Sequence, residues 1–463
     1  MHALFRGLVV AALAAAALAG PDPLAGQEPA GTDSLAGREP AGLDGLDLAA
    51  LIARAREANP SVRAAQERVA AARARLEAAG APPDPRLGVG LVNALVGDPL
   101  SSEDMMTMRM VQLGQVFPFP GKLGLEREAA RWELAEAEAE SDRVVREVTA
   151  GVEKAYFDLY FLDRALEVVD RHRELLADFA RVTQARYQVG TGVQQDVLKS
   201  QVERTRLGEE LLGLAERRAA AAAKLNALLD RPTEGPLENP SLPDRIARAA
   251  IPETGTPVRF TAAALSADGA GADTVIPDLA TLERMAAEQS PELRASAARI
   301  ERSRAEAELA DRAALPDFDV AVGYGQRGGR EDMVTAMVSS PLPLFKGRKQ
   351  DPLAAAEEAE AQGAEAAHRA LVNDLNARLA ALRASLVRAR ERIALLREGV
   401  LPQAHAALES AAAGYPVARV DFITLLDNQA TLFRHDLDYF RLLADFGGDL
   451  AELERIVGTE VVR

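Results

Sequence analysis

Cysteine is absent from all 463 residues. That excludes disulfides, thiolate metal sites and lipid attachment at a cysteine, and it suits an oxidising compartment. Aromatics are scarce as well, at 4% with a single tryptophan, although 48% of the residues are hydrophobic. Much of that apolar share is alanine. Large aromatics fill wide globular cores, whereas alanine has the best helix propensity and lets helices approach closely. The balance points to long, closely packed helices. The chain also lacks an excess of positive charge: its net charge is −16, and a nucleic-acid partner would require clustered Lys and Arg. There is no His-x-x-x-His pair, no Gly-rich phosphate loop and no Gly-x-Ser-x-Gly turn, so the sequence is read as a non-enzyme with no catalytic residues, cofactor or metal-ligand set. His172, His368, His405 and His435 are scattered over helical stretches, where exposed placement is expected.

Long apolar runs are missing too. The N-terminus has Arg6, an apolar stretch from Leu8 to Leu18 and a small-x-small site at Ala17-Leu18-Ala19. This predicts a signal peptide over residues 1–19, since a spanning helix needs about 20 apolar residues. Residues 20–45, rich in Gly, Pro, Ala and acidic side chains, are expected to be a disordered lead-in. The mature chain is therefore expected to be exported, and any membrane insertion must use strands.

What is present is written twice. "NPSVRAAQERVAAARARLEAAGAPPDPRLGVG" begins at Asn59 and "SPELRASAARIERSRAEAELADRAALPDFDVAVG" at Ser290. Further on, a constant offset of 228 maps Tyr187 onto Tyr415, Leu198 onto Leu426, Gln201 onto Gln429 and Leu225 onto Leu453. The chain divides into a first repeat (46–230), a Pro- and Gly-rich linker (231–277), a second repeat (278–458) and a short tail (459–463). Each repeat reads helix, two strands, long helix, turn, helix. The first helices are expected from about Asp47 to Ala79 and from about Asp278 to Ala314, each stopping near proline.

Strands are expected at about 86–97 and 105–117, then at 317–326 and 332–342. Phe318, Val320, Val322 and Tyr324 alternate with Asp319, Ala321, Gly323 and Gly325, the period-2 mark of a sheet with unlike faces. Leu87, Val89, Leu91 and Leu95 repeat that rhythm, and Met106, Met108 and Met110 share a face against Thr107 and Arg109. A tilted membrane strand needs about 9–11 residues, although a soluble hairpin has the same periodicity. Val148, Val152, Ala155, Leu159, Leu162, Leu166 and Val169 follow a 4-3 heptad spacing, as do Leu375 through Val400 and Leu207 through Leu228. Such seams pack knobs into holes. A helix from about Lys122 to Tyr187 would be roughly 100 Å long at 1.5 Å per residue. Four strands cannot close a barrel, and an open edge in lipid leaves backbone groups unpaired. Strands in a membrane would have to be pooled, and four from each of three copies make twelve.

With the duplication stand four local signatures: "VFPFPGKL" (Val116 to Leu123), "PLPLFKGR" (Pro341 to Arg348), "YQVGTGVQQDVL" from Tyr187 and "LNALLD" from Leu225. In this order, the chain from about Leu46 to Gly458 resembles a TolC-type outer-membrane efflux protein. "FPFPGKL" is most similar to the heavy-metal branch, which serves cobalt-zinc-cadmium or copper efflux. The resemblance implies a homotrimer, embedded in outer-membrane lipid as a 12-stranded barrel and continued into the periplasm by a 12-helix coiled-coil barrel. It implies as partners a periplasmic adaptor (membrane fusion) protein and an inner-membrane pump of the resistance-nodulation-division type. The adaptor would meet the hairpin tips, 187–193 and 415–420. Their matching residues are Tyr187, Val189, Gly190, Thr191 and Gly192 in the first repeat, and Tyr415, Val417, Ala418 and Arg419 in the second. A tight turn needs glycine in any case, and alanine tolerates positive φ poorly, so the second tip is expected to differ in shape. A pore gate in this family includes aspartates on the second return helix. Asp427 falls on such a position, Thr424 occupies the other, and Asp421 and Asp196 lie nearby; each carboxylate could equally be a solvated surface charge. Two other readings remain: a periplasmic coiled-coil scaffold without a pore, and the outer-membrane component of a type I protein secretion system.

Overall fold

A computed structural model of the chain describes residues 47–93, 106–252, 275–328 and 330–462. The expected signal peptide, the lead-in, residues 94–97 and 105 of the first strand pair and residues 253–274 of the linker lie outside the described residues. The first repeat contains α1 (Leu48–Ala58), α2 (Pro60–Ala78), β1 (Arg86–Val92), β2 (Met108–Phe117), α3 (Lys122–Gln188) and α4 (Gln194–Leu228). A short α5 (Asp244–Ala250) follows. The second repeat contains α6 (Leu279–Gln289), α7 (Pro291–Arg312), β3 (Phe318–Gln326), β4 (Met333–Ser339), α8 (Gln350–Leu395), α9 (Leu401–Gly414) and α10 (Phe422–Val457). Among the described residues, no helix is long and apolar enough to cross a membrane.

Proline breaks the first helix of each repeat, where a continuous helix was expected. Pro60 and Pro291 lack an N–H and force the residue before them into extended backbone: ψ is 125° at Asn59 and 120° at Ser290. Asn59 then serves both sides of the break. Its Oδ1 accepts from the Ser61 amide at 2.8 Å, capping α2, and its Nδ2 donates to the Leu228 carbonyl at 2.9 Å. The C-terminal end of α4 is thus joined to the start of α2. In the second repeat the Arg455 guanidinium near the end of α10 pairs with Glu292 in the first turn of α7. Each short upper helix therefore meets the end of a return helix.

The heptad seam is the core. Val152, Ala155 and Leu159 of α3, Leu375, Leu379, Leu386 and Ile393 of α8 and Leu214 and Leu225 of α4 are buried, each large side chain contributing about 1.5–3 kcal/mol on burial. Arg218 stands in the α4 seam without breaking it, because its guanidinium pairs with the buried Asp163 carboxylate of α3. α3 packs on α4, α7, α10 and α2, and is uninterrupted over 67 residues. Its counterpart is interrupted: Leu396–Val400 is a π-helical turn between α8 and α9. Pro402 follows and cannot donate to the Glu398 carbonyl, so the chain re-registers by one residue there. Midway along α3, the Tyr156 hydroxyl donates to the Ser241 carbonyl at 2.7 Å. Arg245 of α5 pairs with Glu454 of α10, which also accepts from the Val461 amide at 2.8 Å. Linker and tail are fastened at one level, where burial, with Glu454 beside it, pushes Glu153 up to about 7.

The strands form one antiparallel sheet in the order β1-β2-β3-β4. Cross-strand register puts Leu87, Leu113, Val322 and Ala336 in one row and Val89, Val111, Tyr324 and Val334 in the next. One face is thus mainly aliphatic and aromatic, with Arg109, Gln115 and Gln326 among its side chains, and Leu87, Val89, Leu113, Phe117, Val322, Val334 and Val338 on it are exposed. The opposite face carries mainly Met, Gly, Gln, Thr and Ser, with Arg86, Val92, Val116, Asp319 and Ala321. The strands are shorter than expected. β2 starts at Met108, with Met106 in a turn, and β4 stops at Ser339 because Pro341 and Pro343 have no N–H for the ladder.

Candidate functional site

The far end of α3 turns into α4 through a Schellman motif. The Gly190 amide donates to the Tyr187 carbonyl at 3.0 Å and the Thr191 amide to the Arg186 carbonyl at 2.9 Å, with Gly190 at φ +74°. This satisfies carbonyls that a helix end would otherwise leave orphaned. Contrary to expectation, the second tip makes the same turn. The Ala418 amide donates to the Tyr415 carbonyl at 3.1 Å and the Arg419 amide to the Gly414 carbonyl at 3.0 Å, with Ala418 itself at φ +59°. The repeat's hydrogen-bond pattern prevails over the alanine's steric preference, which opposes left-handed backbone by about 1–2 kcal/mol. Ala418→Gly is therefore expected to stabilise the protein by about 1 kcal/mol, read as a higher denaturant midpoint at unchanged m-value. An unchanged midpoint would mean that the turn carries no strain.

The two tyrosines equated by the repeat have different surroundings. Tyr187 is 45% exposed and Tyr415 only 3%. The Arg186 guanidinium lies over the Tyr415 ring, 4.5 Å from its centroid, and donates to the Tyr415 carbonyl. The Tyr415 hydroxyl donates to Asp196 Oδ2 at 3.1 Å, and its ring packs against Phe422. Burial, then the Asp196 charge, pushes the phenol up to about 12, so it stays protonated as the donor. Tyr415 thus clasps the second hairpin to the first and is not presented at the surface. Sequence comparison missed Arg186. The signal was available: the 228-residue offset sets it against Gly414, whose missing side chain marks where the repeats diverge.

Val189, Gly190 and Thr191 project at the first tip, and Val417, Ala418 and Arg419 at the second; all are exposed, and Gly192 is half-buried. The acidic residues separate into three situations. Asp196 is half-buried and accepts from Tyr415. Asp421 is the N-cap of α10 and accepts from the Thr424 amide at 2.8 Å; the Thr424 hydroxyl, and then that amide bond, hold its carboxyl below the usual range. Asp427 is exposed two turns into α10.

Of the four helical histidines expected to be exposed, His405 is exposed, His368 and His435 are half-buried, and His172 is buried. It lies between α3 and α10, with Gln429 Nε2 3.0 Å from Nδ1 and Asp436 Oδ2 3.3 Å from Nε2. Both ring nitrogens of His172 thus have a polar partner on α10. Phe433 packs edge-on at 5.2 Å. Heptad spacing on α3 would have flagged His172, which stands three residues after Val169.

The model of the outer membrane efflux protein family matches residues 51–231 and 282–459, one stretch in each repeat. The cobalt-zinc-cadmium resistance protein CzcC of Cupriavidus metallidurans is 26% identical over 172 residues, which span 37% of this chain and 41% of that protein. Among solved structures, the outer membrane protein VceC of Vibrio cholerae superposes with a TM-score of 0.72 at 20% identity, covering 89% of this chain and 96% of its own. CusC, whose structures concern folding and transmembrane channel formation, gives 0.72 at 16% identity, covering 95% and 99%. These two likenesses are of fold. The family match covers both repeats, so the chain belongs to the outer membrane efflux protein family, a family of channels and not of enzymes.

Proposed function

We propose that three copies of this chain form the outer-membrane exit duct of an efflux assembly, fed by a periplasmic adaptor and an inner-membrane pump of the resistance-nodulation-division type. The observation that carries this reading is an incomplete surface. In the sheet, β1 and β4 each have a neighbour on one side only, and strands in lipid require closure. In the helical part, α10 of the second repeat packs on α3 of the first, whereas α4 makes no comparable contact with α8 or α9 of its own chain. The same equivalence separates their side chains. Leu426 and Phe440 on α10 pack against the core, while their first-repeat equivalents Leu198 and Leu212 are 53% and 71% exposed. A ring of copies supplies both missing partners at once. Three copies give twelve strands and four helical columns each, with α2 continuing α4 and α7 continuing α10.

In this reading the apolar sheet face meets lipid and the helices project into the periplasm. Tyr187, Val189, Gly190, Thr191, Gly192, Val417, Ala418 and Arg419 dock the adaptor, with Tyr415 beneath them. Asp427, with Asp421 and Asp196, lines the periplasmic mouth as rings of carboxylates that favour cations. The CzcC match supports metal ions as cargo. Cell fractionation tests the core of the proposal: the protein should stay with the outer membrane until detergent is added, and cross-linking should stop at a trimer. Recovery as a soluble monomer would overturn the duct and favour a scaffold. In planar bilayers, millimolar divalent ions added at the periplasmic side should block current, and Asp427→Ala should weaken the block. An unchanged block would remove Asp427 from the gate.

A further inference from the structure

Four of the eight methionines lie on the strands: Met108, Met110, Met333 and Met337. Register puts all four on one face. Met108 and Met110 are two apart on β2, Met333 and Met337 four apart on β4, and β3 lies between. Met110 stands opposite Gly325, Gly325 opposite Met333, and Ala321 opposite Met337. This is the face opposite Leu113, Val322 and Val334.

Glycine on β3 makes the arrangement possible. A Cβ on Gly325 would lie 2.7 Å from the Met108 sulfur, and one on Gly323 3.5 Å from the Met110 sulfur. Both thioethers therefore occupy the space that β3 side chains would take, leaning over the central strand from the β2 side. Met333 flanks Gly325 from the other side. Methionine commonly fills irregular gaps in cores, but Met333 and Met337 are exposed and fill no gap.

We propose that Met108, Met110 and Met333 form a thioether site for a soft monovalent cation, Cu⁺ or Ag⁺, on the inner face of the sheet. Thioether sulfur is neutral and polarisable, and it selects such ions over harder divalent ones. With no cysteine in the chain, no thiolate competes to hold the ion irreversibly. Conduction requires binding favourable enough to admit an ion and weak enough to release it, and neutral donors meet both conditions. The site needs only the sheet of a single chain; its position on an export route rests on the duct reading above.

The test uses the full-length protein in detergent, the triple variant Met108→Leu/Met110→Leu/Met333→Leu, and equilibrium dialysis against Ag⁺ in chloride-free buffer, with Zn²⁺ and Co²⁺ as controls. Leucine conserves volume and apolarity at these positions. The triple variant should bind Ag⁺ about tenfold or more weakly, since three soft donors become hydrocarbon, while retaining the wild-type circular dichroism and assembly state. Cu⁺-loaded wild type, kept anaerobic, should show sulfur ligation by X-ray absorption, and the variant should lose it. Equal Ag⁺ uptake by both proteins would overturn the site, as would Zn²⁺ uptake that falls in parallel with Ag⁺. If the triple variant misfolds, the single Met333→Leu change on the edge strand makes the same comparison. Fractionation of the same proteins separates the two ideas. Thioether binding by a protein that is not in the membrane would refute the duct and leave the site, and a membrane trimer without it would do the reverse.

Discussion

Leu198→Glu together with Leu212→Glu is expected to abolish assembly while leaving the single chain folded. Both side chains are exposed on α4, so glutamate there costs the isolated protomer little. In a ring they would be buried against the next copy, each contributing about 2 kcal/mol, and a carboxylate in that seam would lose this and add a desolvation penalty of several kcal/mol. Because closure repeats the contact at every junction, the penalty applies three times over in a trimer. Cross-linking and size-exclusion chromatography in detergent should show monomer in place of trimer. Helical circular dichroism should be unchanged, and efflux should fall to that of cells without the protein. Leu198→Met with Leu212→Met, which conserves volume, should retain all three properties. Normal assembly of the glutamate pair would mean that this face of α4 looks outward and that copies meet elsewhere.

Gly447→Val is expected to destabilise the chain by about 3 kcal/mol or more, beyond ordinary overpacking. Gly447 lies in α10 where it crosses α3, and a Cβ there would sit 2.6 Å from two ring carbons of Phe157. Phe157 is itself buried, edge-on to Tyr156 at 5.6 Å, so the ring has no room to swing aside. Gly447→Ala should cost about 1–3 kcal/mol on the same grounds. Placing Phe157→Ala beside Gly447→Val removes the clashing ring, and the double variant should be more stable than the sum of the two single losses predicts. Denaturant unfolding of the four proteins measures the coupling. Strict additivity would show that the helices part at that crossing without resistance.

Local periodicity made the architecture legible. The 4-3 apolar spacing of α3 and α8 needs only helix geometry to be read, and the alternation from Phe318 to Gly325 needs only the pleat. The duplication was visible because many equivalent positions retain the same local preference, whereas the Schellman turn at the second tip formed against the preference of Ala418. Proline also announced the breaks at Asn59 and Ser290, although the expectation of one continuous helix passed over them. Tyr187 and Tyr415, Leu198 and Leu426, or Leu212 and Phe440 could not be told apart in this way. Each pair occupies the same position in the repeat, but one member meets the other repeat and one does not. The burial of His172 beside Gln429 and Asp436, the clasp from Arg186 and Asp196 onto Tyr415, and the thioethers leaning across Gly323 and Gly325 all join residues far apart in sequence. Spacing within an element determines which face a side chain occupies; only tertiary packing decided what that face meets.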